Sequence, residues 1–243
     1  MNTRKMIKHI GFISLFLWMT GCQDLTEELA GIEPADAKNI HITMIAKSAS
    51  NPVFQSARIG AEAAAKDLSE KYSKISVQID WRTPWEEDPQ EQAERIRNAV
   101  EDGTDAIIVS CSDDSILTAA IDAAVESGIP VMTFDSDAPR SKRFSFYGPN
   151  DLEIGEKILD ELVKVMGDSG PVAVLGGNAN APNLQKRVQG IRKAAEKYPG
   201  IEIVGEFYHV ETAEAAIAEM NRVSQAYPAL KGWAMVGGWP FFS

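Results

Sequence analysis

The 243 residues carry 24 Lys and Arg against 35 Asp and Glu, a formal charge of −11, with 44% apolar residues and two cysteines. This acidic surplus excludes a nucleic-acid-binding face, which needs clustered cations against phosphate. Length and apolar content suit one large or two modest packed domains.

The chain opens with the pattern of an export signal. Arg4, Lys5 and Lys8 precede an apolar stretch, Ile10 to Met19, of about ten residues, too short for a membrane span of ~20. Met19-Thr20-Gly21-Cys22 resembles a bacterial lipobox, which implies lipidation of Cys22 and makes 1–22 a lipoprotein signal peptide. Residues 23–38 lack a sustained period and are expected to be a flexible tether. Removing 1–21 takes the basic residues from 24 to 21 against 35 acidic ones, about −14. Lipid, not charge, would then hold the protein at a membrane. With Cys22 acylated, Cys111 has no disulfide partner and reads as a small buried residue.

Six apolar runs follow: 41–52, 75–84, 105–115, 129–138, 171–183 and 201–212. Each stops in small polar residues, and nearly every one is followed by a helical pattern. Continuous apolar strands joined by helices imply an α/β fold with parallel sheets covered on both faces. Ligands bind such sheets outside the carboxyl ends of the strands, which draws attention to Ser48, Asn51, Asp80, Asp113, Asp135, Asn178 and Asn183. The first helix should bury Phe54, Ala57, Ala61, Ala64, Leu68 and Tyr72. The next should bury Ala93, Ile96 and Val100, and the third Ile116, Ala120 and Ala124. Gly103 and Gly128 suit helix ends, and Asp113 or Asp114 a helix start. The aromatic run FSFYGPND (144–151) breaks the series. A second series then predicts helix 151–167, strand 171–176, helix 183–197, strand 201–208, helix 212–226 and strand 231–236, with Phe241-Phe242 opening another helix. The expected division is an N-terminal lobe, 39–147, and a partial C-terminal lobe, 148–243.

N-P-x-F at Asn51–Phe54, G-I-P-V-x-x-x-D-x-D at 128–137 and N-x-x-x-R-x-x-G at 183–190 together resemble the periplasmic sugar-binding proteins of the ribose-binding type, solute receptors of bacterial ABC importers. The likeness runs from about 40 to 243. It implies two doubly wound flavodoxin-like lobes with strand order 2-1-3-4-5, three hinge crossings, and a sugar held in the cleft between them. By the same resemblance, Asn51 hydrogen-bonds a sugar hydroxyl, Phe54 covers an apolar face, and Asp135 accepts from two hydroxyls. Lys47 stands where ribose binders have serine, Ser136 where they have arginine, and Gln185 where they have a ligand-contacting arginine. Arg187 matches the family's second arginine. Ribose itself is therefore not expected, and another sugar or polyol is. The family's chain continues well beyond Gly238, so this sequence is expected to be a C-terminally truncated form.

Other residues have two readings each. Trp81, Trp85 and Trp239 stack on a sugar or line a rim; Asn51 and Asn183 bind or cap helices; Arg187 reaches the cleft or braces its helix. His9, His41 and His209 are isolated, so no metal site is read. No phosphate loop, nucleophile elbow or catalytic pair has the required spacing, and neither cofactor nor catalysis is expected. The resulting expectation is a monomeric lipoprotein of the periplasm or cell surface, passing a small sugar or polyol to an ABC permease. The alternative is a receptor feeding a signalling or chemosensory partner, for instance with a furanosyl signal molecule. An α/β enzyme ranks below both.

Overall fold

Strands and helices alternate along the chain in the computed structural model, which describes residues 38–242. They are β1 (Lys38–Ile45), α1 (Pro52–Lys71), β2 (Ile75–Trp81), α2 (Pro89–Glu101), β3 (Ala106–Val109), α3 (Asp114–Glu126), β4 (Val131–Phe134) and β5 (Ser145–Tyr147). After these come α4 (Asp151–Met166), β6 (Ser169–Gly177), α5 (Pro182–Ala195), β7 (Gly200–Tyr208), α6 (Ala213–Ala226) and β8 (Gly232–Met235). A 3-10 turn at Trp239–Phe241 closes the described chain. The lipobox at Cys22 and nearly all of the 23–38 tether lie outside the described residues.

The first sheet has the order β2-β1-β3-β4-β5, and the second β7-β6-β8. Pairing is parallel between β1 and β3, β3 and β4, and β4 and β5, and again between β6 and both its neighbours. Parallel neighbours need a crossover, and the helices supply it. Two doubly wound lobes result, the first sheet with five strands and the second with three.

Polar residues at the strand exits start most of the helices. Asn51 accepts from the Val53 N–H, Asp88 from Gln90 and Glu91, Asp113 from Ser115 and Ile116, Asn150 from Glu153, and Thr212 from Ala215. Each satisfies donors that the helix itself cannot. Proline opens α1, α2 and α5, where its missing N–H costs nothing. Gly103 and Gly128 end α2 and α3 with φ of 78° and 87°, the left-handed cap geometry that glycine tolerates.

One core lies between the first sheet and α2 and α3, built from Ile45, Ile96, Ile107, Val109, Leu117, Ile121 and Val131. The second sits around β6, with Leu159 of α4, Val188 and Ile191 of α5, and Ala216 of α6. In that lobe α4 and α5 cross at two glycines. A Cβ on Gly155 would lie 2.0 Å from the Arg187 carbonyl oxygen, and one on Gly190 2.1 Å from that of Leu152.

Four expectations are corrected. On α1 the stripe holds at Phe54 but fails further along, where Leu68 and Tyr72 are exposed and the buried residue is Ala65. Helical spacing names a face; only neighbouring elements decide how far along it is covered. Asp80 lies inside β2, not beyond it, and pairs with Arg82 at 2.5 Å. Asn183 does not cap: α5 begins earlier, at Pro182, with Ala181 at the cap position. Phe241 ends a single 3-10 turn, and Phe242 flanks it.

Candidate functional site at the strand ends

Lys47, just past β1, has only 2% of its side chain exposed. Its Nζ lies 2.5 Å from Glu211 Oε1, in the loop after β7, and 3.5 Å from Glu87 Oε1, in the loop after β2. Burial by itself would lower the Lys47 ammonium. Glu211 and then Glu87 outweigh that and hold it above its ordinary value. Glu87 moves up as well, because burial and the Glu211 charge outweigh Lys47 and the Asn178 amide.

Further contacts join the two sheets' rims. Asn178 Nδ2, after β6, donates to Glu87 Oε1 at 2.9 Å and to the Ser112 carbonyl at 3.4 Å. Asn183 Nδ2 donates to Asp135 Oδ1 at 3.3 Å, while Ser110 Oγ donates to Asp135 Oδ2 at 2.9 Å. Asp135 has a φ of 56°, and among the described residues no other non-glycine is positive. Left-handed backbone at a non-glycine residue costs energy and concentrates at functional sites. Its N–H donates to the Tyr147 carbonyl at 3.0 Å, which ties the strained turn to β5.

Gln92 of α2, fully buried, clamps the lobe-one rim. Its Nε2 donates at 2.8 Å to the carbonyls of both Ala46 and Ser110, and its Oε1 accepts from the N–H and hydroxyl of Ser112. It therefore fixes the residues flanking Lys47 and the hydroxyl that holds Asp135. Asp137, the second aspartate of the D-x-D pattern, is a strut. Burial opposes its ionisation, yet Arg143, 2.7 Å away, and the Thr133 hydroxyl hold its carboxyl below the usual range.

The remaining predicted residues divide. Asn51 uses its Oδ1 to cap α1 and keeps Nδ2 for another acceptor. Phe54 is buried edge-on against Phe134, with ring centres 6.4 Å apart. Trp85 is 70% exposed, a rim position with its backbone carbonyl held by the Ser50 N–H. Trp81 ends β2 beneath the Arg58 guanidinium. Arg187 braces, donating to Asp151 Oδ1 and the Val236 carbonyl, both at 2.9 Å. Trp239 is buried edge-on against His209 at 4.8 Å, over Gly177 and Gly237, where any Cβ would strike its ring. Cys111 is buried, and burial pushes its thiol far up.

Two buried side-chain atoms among the described residues, Ser136 Oγ after β4 and His209 Nε2 after β7, have no protein hydrogen-bond partner, while the buried Gln185 amide of α5 reaches the Tyr208 hydroxyl. Sequence reasoning missed Glu87, Glu211 and Gln92. The first two do follow strands, but nothing local distinguishes them from solvated carboxylates. Among the described residues no cluster of His, Cys, Asp and Glu could hold a metal ion.

The model of a periplasmic binding protein domain matches residues 42–242. The chain belongs to this family. The binding protein is 25% identical over 197 residues to the ribose import binding protein of Bacillus subtilis, covering 80% of this chain and 61% of that relative. It is 23% identical to the D-ribose/D-allose-binding protein of Pseudomonas aeruginosa, covering 88% and 67%. It thus spans under two thirds of the Bacillus relative's length. Among solved structures, an ABC transporter solute-binding protein from Burkholderia graminis in complex with D-arabinose superimposes with a TM-score of 0.76. It shares 29% identity, over 83% of this chain and 67% of that one. Such relatives are binding proteins, not enzymes.

Proposed function

We propose that this protein binds a small sugar or polyol between its lobes, 39–147 and 148–243, and passes it to an ABC permease outside the cytoplasmic membrane. Lys47, Asn51, Phe54, Asp135, Ser136, Asn183, Gln185 and Trp239 are the proposed ligand-facing residues, with Trp85 at the rim and Arg187 bracing. A lipid anchor on Cys22, monomeric state and membrane attachment belong to the same reading. Its main support is Asp135: strained, bonded from both lobes, and beside the partnerless Ser136 hydroxyl. A carboxylate there accepts two hydroxyls at once, and hydrogen bonds to a charged group are the stronger kind.

Titration calorimetry with neutral pentoses, hexoses and polyols tests the reading. At least one should bind in a one-to-one complex, and Asp135→Ala should weaken it by roughly 100-fold to 10,000-fold, the value of two charge-assisted bonds. Failure of every panel member to bind the folded protein would refute it. A signalling role is the second reading, favoured by the likeness to a XylFII molecule and to a XylFII–LytSN complex, at TM-scores of 0.64 and 0.67.

A further inference from the structure

Where the two rims meet, carboxylates outnumber cations. Glu87 and Glu211 have 8% and 6% of their side chains exposed, and both face the single ammonium of Lys47. Asp135 adds a third negative charge within the field of Lys47. The nearby cations are already engaged: Arg187 with Asp151, and Arg143 with Asp137. The formal balance of the nearly water-excluded Lys47, Glu87 and Glu211 is therefore one negative charge, and the half-buried Asp135 adds a second. The upward displacement of Glu87 is the response expected of a carboxyl in such surroundings.

We infer that the cleft selects its ligand by charge: it admits neutral and amine-bearing polyhydroxy compounds and rejects sugar acids and sugar phosphates, with Glu87 and Glu211 setting the discrimination. This rests on the receptor reading and narrows its substrate class. An anionic ligand would bring another negative charge beside the Lys47 ammonium, which already serves two carboxylates. Like charges brought together in a desolvated interface are strongly disfavoured, and such repulsion is an effective source of specificity. A ligand ammonium does the reverse, because it supplies a counter-charge to Glu87 or Glu211 and donates hydrogen bonds where a hydroxyl would. Among the described residues neither carboxylate has a donor for both oxygens: Glu87 takes Asn178 and Lys47 on Oε1, and Glu211 takes Lys47 on Oε1.

Matched trios decide the matter by calorimetry at pH 7: D-galactose, D-galactosamine and D-galacturonate, and D-ribose, an amino-deoxyribose and ribose 5-phosphate. The acid or phosphate should bind at least ~10-fold more weakly than its neutral counterpart, and the amine no more weakly. Glu211→Gln and Glu87→Gln keep side-chain size while removing charge, and each should narrow the neutral-to-acid ratio several-fold. Lys47→Met should widen it. These opposite signs separate a charge effect from general damage, and if Lys47→Met does not fold the two glutamine variants still decide. Neutral sugars binding while their acids bind equally well, or ratios unmoved by the glutamine variants, would overturn the charge inference and leave the receptor reading standing. No binding by any member of these trios or of the wider panel of pentoses, hexoses and polyols would remove both.

Discussion

Lys47 keeps its proton in a place that water scarcely reaches, because a carboxylate from each lobe stands against it. Replacing it by methionine leaves two buried carboxylates without a cation. The expected loss is about 3–5 kcal/mol in urea unfolding, partly restored when Glu211→Gln is added. Since the folded Lys47 value is raised, its stabilisation is complete below the ordinary lysine value of 10.5 and is lost as pH rises through the folded value. Asp137 has the opposite sign. Its depressed carboxyl stabilises the fold above its ordinary value of 3.8, and that contribution disappears as pH falls through the folded value. Melting temperatures followed across pH should therefore show a weaker alkaline dependence in Lys47→Met and a weaker acid dependence in Asp137→Asn than in the parent chain. Gln92 is a third test at this scale. Gln92→Leu leaves the carbonyls of Ala46 and Ser110 and the Ser112 N–H unpaired, and should cost about 2–5 kcal/mol by the same unfolding measurement.

At the scale of elements, the second lobe depends on how closely α4 approaches α5. Backbone oxygens occupy the space that a Cβ on Gly155 or Gly190 would need. Backbone cannot rotate aside as a side chain can, so alanine at either position should destabilise by about 1–3 kcal/mol in chemical denaturation. Gly103 provides the control. Open space surrounds it, and only its φ of 78° resists a side chain, so Gly103→Ala should cost about 1 kcal/mol. Both helices carry an ordinary amphipathic pattern in the sequence. That pattern identifies apolar faces but gives no distance between helix axes, so the crossing was not legible there. On α1 the same limitation placed Leu68 and Tyr72 in a core that does not extend to them.

In the whole molecule the two rims are joined by Lys47 to Glu211, Asn178 to Glu87 and Asn183 to Asp135. If the lobes move as rigid bodies in the receptor reading, these contacts bias them toward the closed arrangement. A variant combining Asn178→Ala with Glu211→Gln should have a larger radius of gyration by small-angle scattering without ligand, and should contract when a neutral ligand binds. An unchanged radius in both conditions would mean that the contacts do not control closure. The charge surplus at the rim also accords with the acidic balance of the entire chain, which sets no ligand by itself.

The alternation of apolar runs and amphipathic helices was sufficient to specify the α/β architecture and a helix start at Asp113 or Asp114, whereas the strand order came from the family likeness and Asn51 kept two readings, of which the structure shows the cap. These features depend on local propensity and on which side chains avoid water, and both are written in neighbouring residues. Asp135 also stood out, because a carboxylate beyond a strand end is conspicuous in such a fold. Pairing Lys47 with Glu211 across 164 positions, placing Gln92 under three backbone groups, and turning Asp137 and Arg187 into braces all depended on tertiary structure. A buried charge acquires its meaning from the groups that replace its water. Those groups come from distant segments, and only the folded chain brings them within bonding distance.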